Sequence, residues 1–107
     1  MVGLTVRLAM QPGRYEKRSA TAVAVMLTSR DPESRTELTL TENISGRGAR
    51  VVTKTLWSAN DCLVIKSLEG DLQSEARVIY RQPVRENVYA IGLELIAPTG
   101  NWRKKSS

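Results

Sequence analysis

The stretch Glu75-Ala-Arg-Val-Ile-Tyr-Arg81 alternates between apolar and charged side chains along most of its length. A period of two is typical of a β-strand with one buried face. The pattern predicts that Ala76, Val78 and Tyr80 point inward. A turn signal follows at residues 85–87, and residues 88–95 then form a second predicted strand. Its predicted inner face consists of Tyr89, Ile91, Leu93 and Leu95.

Four further runs of the chain have strand character. They are residues 20–28, 37–41, 50–53 and 62–66. In the first we expect Val23, Val25 and Leu27 to face inward, and in the second we expect Leu38 and Leu40 to do so. Turn-forming residues separate all six runs. The sequence therefore predicts an all-β fold, a small six-stranded antiparallel barrel, with room for a short helical turn after Pro98.

Composition limits the class of protein. The chain has 107 residues, of which 41% are hydrophobic and 25% are charged, as in one soluble globular domain. No run approaches the roughly 20 apolar residues of a membrane helix, so we expect no membrane span and a cytoplasmic location. The net charge of +5 fits an anionic partner without identifying one.

Residue types also argue against catalysis. The chain has no histidine, and its single cysteine, Cys62, cannot form an intrachain disulfide. Histidine-based acid–base chemistry and most zinc sites are therefore excluded, and no pair of carboxylates has a catalytic spacing. We expect Cys62 to be a small buried hydrophobic residue. The expected protein is not an enzyme and holds no catalytic residue, metal or cofactor.

Two short motifs predict a ligand site. Arg14-Tyr-Glu-Lys-Arg18 has the form R-x-x-x-R, and Asn43-Ile-Ser45-Gly-Arg-Gly48 has the form N-x-S-x-x-G. Arginine can fork onto phosphate oxygens or onto the O6/N7 edge of guanine, and its guanidinium plane can stack on purines. Asn or Ser in a tight turn can bond a base edge, and glycine lets the backbone approach closely. The pair indicates a receptor for a small phosphorylated guanine ligand.

Both motifs, in this order on a predicted barrel of this size, resemble the PilZ domain family. Further stretches are similar to the family's pattern in the same order: Gly48-Ala49-Arg50-Val51, Ala76-Arg77-Val78-Ile79-Tyr80 and Ile91-Gly92-Leu93-Glu94-Leu95. Leu95 stands where many members have Phe. The resemblance covers residues 14–97, which leaves residues 1–13 as an N-terminal segment and residues 98–107 as a basic tail.

The resemblance implies a bacterial receptor for the second messenger cyclic di-GMP, built as a six-stranded antiparallel barrel. Arg14 and Arg18 would contact the phosphates and guanines, Asn43 and Ser45 would hydrogen-bond the ligand, and Gly48 would shape the turn. Arg47, Arg77 and Arg81 are additional candidate contacts. Binding would change the conformation of the domain and signal to a partner protein.

Other interpretations stay open at this stage. A PilZ-like domain could serve as a protein-interaction module without binding nucleotide. A small basic barrel could instead bind single-stranded nucleic acid, but such proteins use aromatic stacking platforms, and this chain has only five aromatic residues. The arginine motif could be a solvated basic stretch, and the polar side chains of the glycine turn could simply cap backbone groups.

Overall fold

The computed structural model describes residues 21–30 and 35–103, and every regular element in them is a strand. The strands are β1 (Ala24–Ser29), β2 (Thr36–Ile44), β3 (Gly48–Thr53), β4 (Cys62–Ser67), β5 (Gln73–Arg85) and β6 (Val88–Thr99). All pairings are antiparallel, and the sheet closes in the order β1-β2-β3-β6-β5-β4. The predicted six-stranded barrel is confirmed.

One continuous core fills the barrel, and it is built from alternate residues of the strands. Val25 and Leu27 of β1 are buried, as is Val23 just before it, which confirms the predicted inner face. The other strands contribute Val51, Leu63, Ile65, Ala76, Val78, Ile91, Leu93 and Leu95. Trp57 joins this core from the connection between β3 and β4. Each fully buried Val, Leu or Ile side chain contributes about 1.5–3 kcal/mol through the hydrophobic effect.

Strand β2 has the predicted period but the opposite orientation. Leu38 and Leu40 were expected to face inward, yet they are 67% and 51% exposed. The pairing with β1 explains the difference, because Thr39 is directly opposite the buried Val25. The inner positions of β2 are therefore occupied by the residues between the leucines, and Thr41 is almost fully buried there.

The outward leucines form a surface that we call the apolar outer face. Leu38 is opposite Met26 and Leu40 is opposite Ala24, so these four side chains share the outside of β1 and β2. Met26 and Ala24 are half-buried. The result is an exposed aliphatic strip on one side of the barrel.

A β-bulge overturns the prediction for Tyr80. Val78 pairs with Leu93, but Tyr80 pairs with Gly92, so β5 holds one extra residue at this point. A bulge shifts the alternation by one residue, and Tyr80 turns outward with 40% of its surface exposed. Tyr89, also expected inside, is only half-buried, and Arg81 lies 5.6 Å from its ring centroid.

The ends of the predicted elements also differ from the structure. Cys62 is exposed rather than buried, because its neighbour Leu63 takes the inner position. Strand β6 continues to Thr99, and residues 98–103 contain no helical turn. Trp102 lies beyond β6 and packs on the core. In the part of the chain that the structure describes, no helix is long and apolar enough to span a bilayer.

Candidate ligand-binding site

The turn between β2 and β3 is held together by Ser45. Its hydroxyl oxygen accepts hydrogen bonds from the amides of Arg47 and Gly48, at 3.2 and 3.1 Å. The hydroxyl also lies 3.3 Å from the Gly48 carbonyl, to which it can donate, while the Ser45 amide donates to the same carbonyl at 2.9 Å. A hydroxyl has one donor and two acceptor sites, so Ser45 is fully engaged within its own turn.

Gly48 is needed for a close approach between strands. A Cβ at this position would lie 2.6 Å from the Leu93 carbonyl oxygen of β6. Gly46 differs, since no atom would lie within 4 Å of a Cβ there. The amide of Leu95 also donates to the Arg47 carbonyl at 2.9 Å. Contacts with β6 therefore fix the position of this turn.

The segment that follows β6 also helps to hold the turn between β2 and β3 in place. The Trp102 indole N–H donates to the Ser45 carbonyl at 3.0 Å, and the Trp102 carbonyl accepts from the Ser67 hydroxyl. Arg103 donates to the Ala22 carbonyl at 3.1 Å and pairs with Glu69 at 3.0 Å. The C-terminal segment thus contacts both the turn and the chain that enters β1.

Glu69 links the same region to β1 directly. Its carboxylate accepts from the Ala24 amide at 2.8 Å. This bond, followed by the one from Arg103, lowers the pKa of Glu69 below its ordinary value of 4.5. The carboxylate thus joins β1 to the C-terminal segment.

Thr41 anchors the chain where it enters the barrel. Its hydroxyl donates to the Thr21 carbonyl at 2.7 Å and accepts from the Val23 amide at 2.8 Å. Arg18 is three residues before Thr21, so its Cα lies within about 11 Å of the Thr21 Cα in any conformation. Arg14 is seven residues before it and lies within about 25 Å. Both predicted arginines fall outside the described residues.

The outer surface of β3, β6 and β5, together with the end of β2, carries what we call the charged outer face. One row across the strands runs from Asn43 through Arg50 and Gly92 to Tyr80. The next row joins Gly48, Glu94 and Arg77. Two ion pairs complete the charged outer face. Glu42 pairs with Arg50 and Arg77 pairs with Glu94, both at 2.6 Å.

Arg50, a cation of this face, is held by two side-chain hydrogen bonds. Its Nε bonds Glu42, and its Nη1 donates to the Tyr80 hydroxyl at 3.0 Å. The bond to Glu42, followed by the one to Tyr80, raises the pKa of Arg50 above its ordinary value. Its Cζ also lies 5.7 Å from the Tyr80 ring centroid. The guanidinium is therefore held in one position beside an aromatic ring.

The structure brings together most of the described candidate residues. Asn43 is half-buried at the end of β2, next to the turn that contains Ser45, Arg47 and Gly48. Arg77 lies in the row of Gly48. Arg81 points elsewhere, since its Nη1 donates to the Trp57 carbonyl at 2.8 Å in the connection between β3 and β4.

Sequence reasoning missed three residues that shape this region. Arg50 follows Gly48 by two positions, so strand alternation alone could have placed the two on one face. Tyr80 was assigned to the wrong face because the bulge leaves no clear signal in the sequence. Trp102 contacts a residue 57 positions away, and nothing local predicts that contact.

A surface groove of about 480 Å³ lies elsewhere on the barrel, beside β5 and β6. Among the described residues that line it, Glu75 is the one charged side chain. This carboxylate is paired with Arg30 at 2.7 Å, and the described lining itself offers no cation to an anionic ligand, so the groove suits phosphate poorly. Within residues 21–30 and 35–103, no three His, Cys, Asp or Glu side chains are grouped to bind a metal.

Comparisons with known proteins leave the family open. No protein-family model matches the chain, and no curated protein matches it in sequence. The likeness to PilZ domains therefore rests on the motifs and on the barrel.

Proposed function

We propose that this protein is a non-enzymatic receptor that binds cyclic di-GMP beside the turn at residues 45–48. The observation that carries the proposal is the anchoring of Thr21 and Val23 on Thr41, two residues before Asn43. This contact fixes the chain that leads into β1 close to the end of β2, where the turn begins. The connection from Thr21 is short enough to allow Arg18 to contact a ligand that lies beside the turn.

Charge and geometry support the same ligand class. Cyclic di-GMP has two phosphates and two purines, and arginines can bind both kinds of group. Three exposed or half-buried cations, Arg47, Arg50 and Arg77, surround the turn. The turn itself is fixed by bonds from Ser45, Leu95 and Trp102. A prearranged site loses less entropy on binding than a mobile one.

The proposed mechanism uses residues 10–19 as the element that responds to the ligand. Ligand held by Arg14 and Arg18 would bring residues 10–19 against the barrel beside the turn, which changes the surface offered to a partner protein. The ligand can shift this equilibrium only by its differential affinity for the closed arrangement. Saturating ligand is therefore expected to change the amide NMR signals of residues 10–19.

Calorimetric titration with cyclic di-GMP tests the proposal. Arg18→Ala should weaken binding at least tenfold, because a charge-assisted hydrogen bond contributes about 1.5–3 kcal/mol. Arg30→Ala is the matched control, since it removes one positive charge from an exposed pair with Glu75. Its affinity should stay within about twofold of the parent.

Two results of this titration would sink the receptor assignment. One is the absence of binding heat for the folded parent at high ligand concentration. The other is an equal loss of affinity in the Arg18 and Arg30 variants, which would indicate unspecific attraction by net charge. GTP and cyclic di-AMP serve as ligand controls, and we expect both to bind much more weakly.

A protein-interaction module that does not bind nucleotide is the second candidate. The observation that favours it is the Ser45 hydroxyl, whose donor and acceptor sites are all used inside the turn. A ligand would have to replace one of these bonds or rely on Asn43 and the arginines. A folded parent without affinity for any of the nucleotides would favour this function.

A further inference from the structure

Tyr80 has an unusual position for an aromatic side chain on a sheet surface. The bulge after Val78 turns it outward, and its ring then lies across Gly92 of the neighbouring strand. A Cβ at Gly92 would have three Tyr80 ring atoms as its nearest neighbours. These are consecutive ring atoms, Cδ2, Cε2 and Cζ, so this part of the ring packs on the backbone of β6. The residue as a whole keeps 40% of its surface exposed.

Arg50 holds this ring in place. Its Nη1 bonds the Tyr80 hydroxyl at 3.0 Å, and its Nε is fixed in turn by Glu42 at 2.6 Å. The ring thus packs on Gly92 at the sheet surface, and its hydroxyl group is bonded to Arg50. A rigid aromatic face beside a cation is a surface on which a purine base can stack.

The distance from the turn fits a ligand with two bases. Asn43, Arg50, Gly92 and Tyr80 occupy successive strands of one row. Three strand spacings of about 4.8 Å separate the backbone of Asn43 from that of Tyr80, and the Tyr80 ring, which lies across Gly92, is about one spacing nearer to Asn43. A cyclic dinucleotide carries its two purines on opposite sides of a central phosphate ring, so one base can reach each end of the row.

We propose that Tyr80, positioned by Arg50 and Gly92, is a stacking subsite for one purine base of the ligand. The inference rests on the proposed function and adds a contact that the two sequence motifs do not contain. Arg50 acts here as a positioning residue for the ring, and its charge also faces the phosphates. Single-stranded nucleic acid offers the same purine chemistry, so the test must separate the two sources.

The test titrates Tyr80 variants with cyclic di-GMP and, separately, with a guanine-rich DNA oligonucleotide. Stacking on an aromatic side chain contributes roughly five- to hundredfold in affinity. Tyr80→Ala and Tyr80→Leu should both weaken cyclic di-GMP binding in that range, while Tyr80→Phe, which keeps the ring, should stay within about threefold. Tyr80→Leu keeps an apolar side chain over Gly92. It takes the place of the alanine variant in the test if that variant does not fold. Ile79→Ala, an exposed neighbour, is the control.

Each outcome decides the inference. If Arg18→Ala weakens binding but Tyr80→Ala and Tyr80→Leu do not, the subsite is wrong and the receptor function stands. If Tyr80→Phe loses as much affinity as the leucine variant, the hydroxyl contact matters and stacking is rejected. If only the oligonucleotide binds and loses affinity in the leucine variant, the subsite serves single strands and the assignment to cyclic di-GMP is overturned. If the parent binds neither ligand, both proposals fail.

Discussion

The two outer faces of this barrel are built on the same antiparallel pleat, yet their side chains differ in how they are held. On the apolar outer face, Leu38 and Leu40 project from β2 beside Met26 and Ala24, and aliphatic groups form no directional bonds. On the charged outer face, Arg50 is bonded to Glu42 and Tyr80. The second face presents fixed donors and an aromatic ring next to the glycine turn.

This difference bears on the proposed binding site. Groups that are held in place before a ligand arrives lose less entropy on binding, and of the two outer faces the charged one carries such groups beside the turn. The barrel itself is stabilised by the inner residues that both faces share, such as Val25 and Ile91. Substitutions should therefore have large effects on stability inside and much smaller effects on either outer face.

The largest expected effect comes from reversing the polarity of an inner position. Val25→Asp would bury an unpaired carboxylate at a site with no exposed surface. The substitution should lower the free energy of unfolding by more than about 4 kcal/mol. A domain is stabilised by only roughly 5–15 kcal/mol in total. We expect the variant to be unfolded, as measured by circular dichroism and urea denaturation.

Leu38→Asp is the matched control on the apolar outer face. Leu38 is 67% exposed, so the same carboxylate stays hydrated and should cost about 1 kcal/mol or less. A cooperatively folded Val25→Asp protein, or an unfolded Leu38→Asp protein, would reverse the assignment of the two sides of the sheet.

The sequence predicted the barrel and the inner faces of some of its strands, but not of all. The inner residues of β1 and the aliphatic ones of β6 were assigned correctly, because alternation continues through Val25 and through Leu93. In β2 the same rule gave the wrong face. Leucine and threonine alternate there, and the choice between them depends on pairing with β1 and on the two hydrogen bonds of Thr41. Such long-range contacts are invisible in a local pattern.

Prediction of the site had similar limits. The position of the turn and the closeness of Asn43, Ser45 and Gly48 followed from the motif. The engagement of the Ser45 hydroxyl and the support from Trp102 depend on three-dimensional contacts. Tyr80 was missed because a single inserted residue in β5 reverses the alternation beyond it. A bulge of this kind arises from the pairing with β6 rather than from residue type.

An intermediate effect is expected where the charged outer face meets the turn. Gly48→Ala would place a methyl group 2.6 Å from the Leu93 carbonyl oxygen, a backbone atom that cannot move alone. The strands would have to separate slightly, at a cost of about 1–3 kcal/mol in urea denaturation.

Gly46→Ala provides the comparison two residues away. It meets no atom within 4 Å and has no positive φ, so its stability should be unchanged or raised by up to about 1 kcal/mol. If both substitutions lowered the free energy of unfolding equally, glycine would be needed for the turn conformation and not for the approach to β6.

Amide NMR spectra with and without saturating cyclic di-GMP test the central claim most directly. The account predicts changes in residues 10–19, in residues 43–50 and at Gly92, because these segments would surround the ligand. Signals from Leu38 and Leu40 on the apolar outer face should stay nearly constant. Changes centred on Leu38 and Leu40, or an unchanged spectrum at saturating concentration, would contradict binding at the charged outer face.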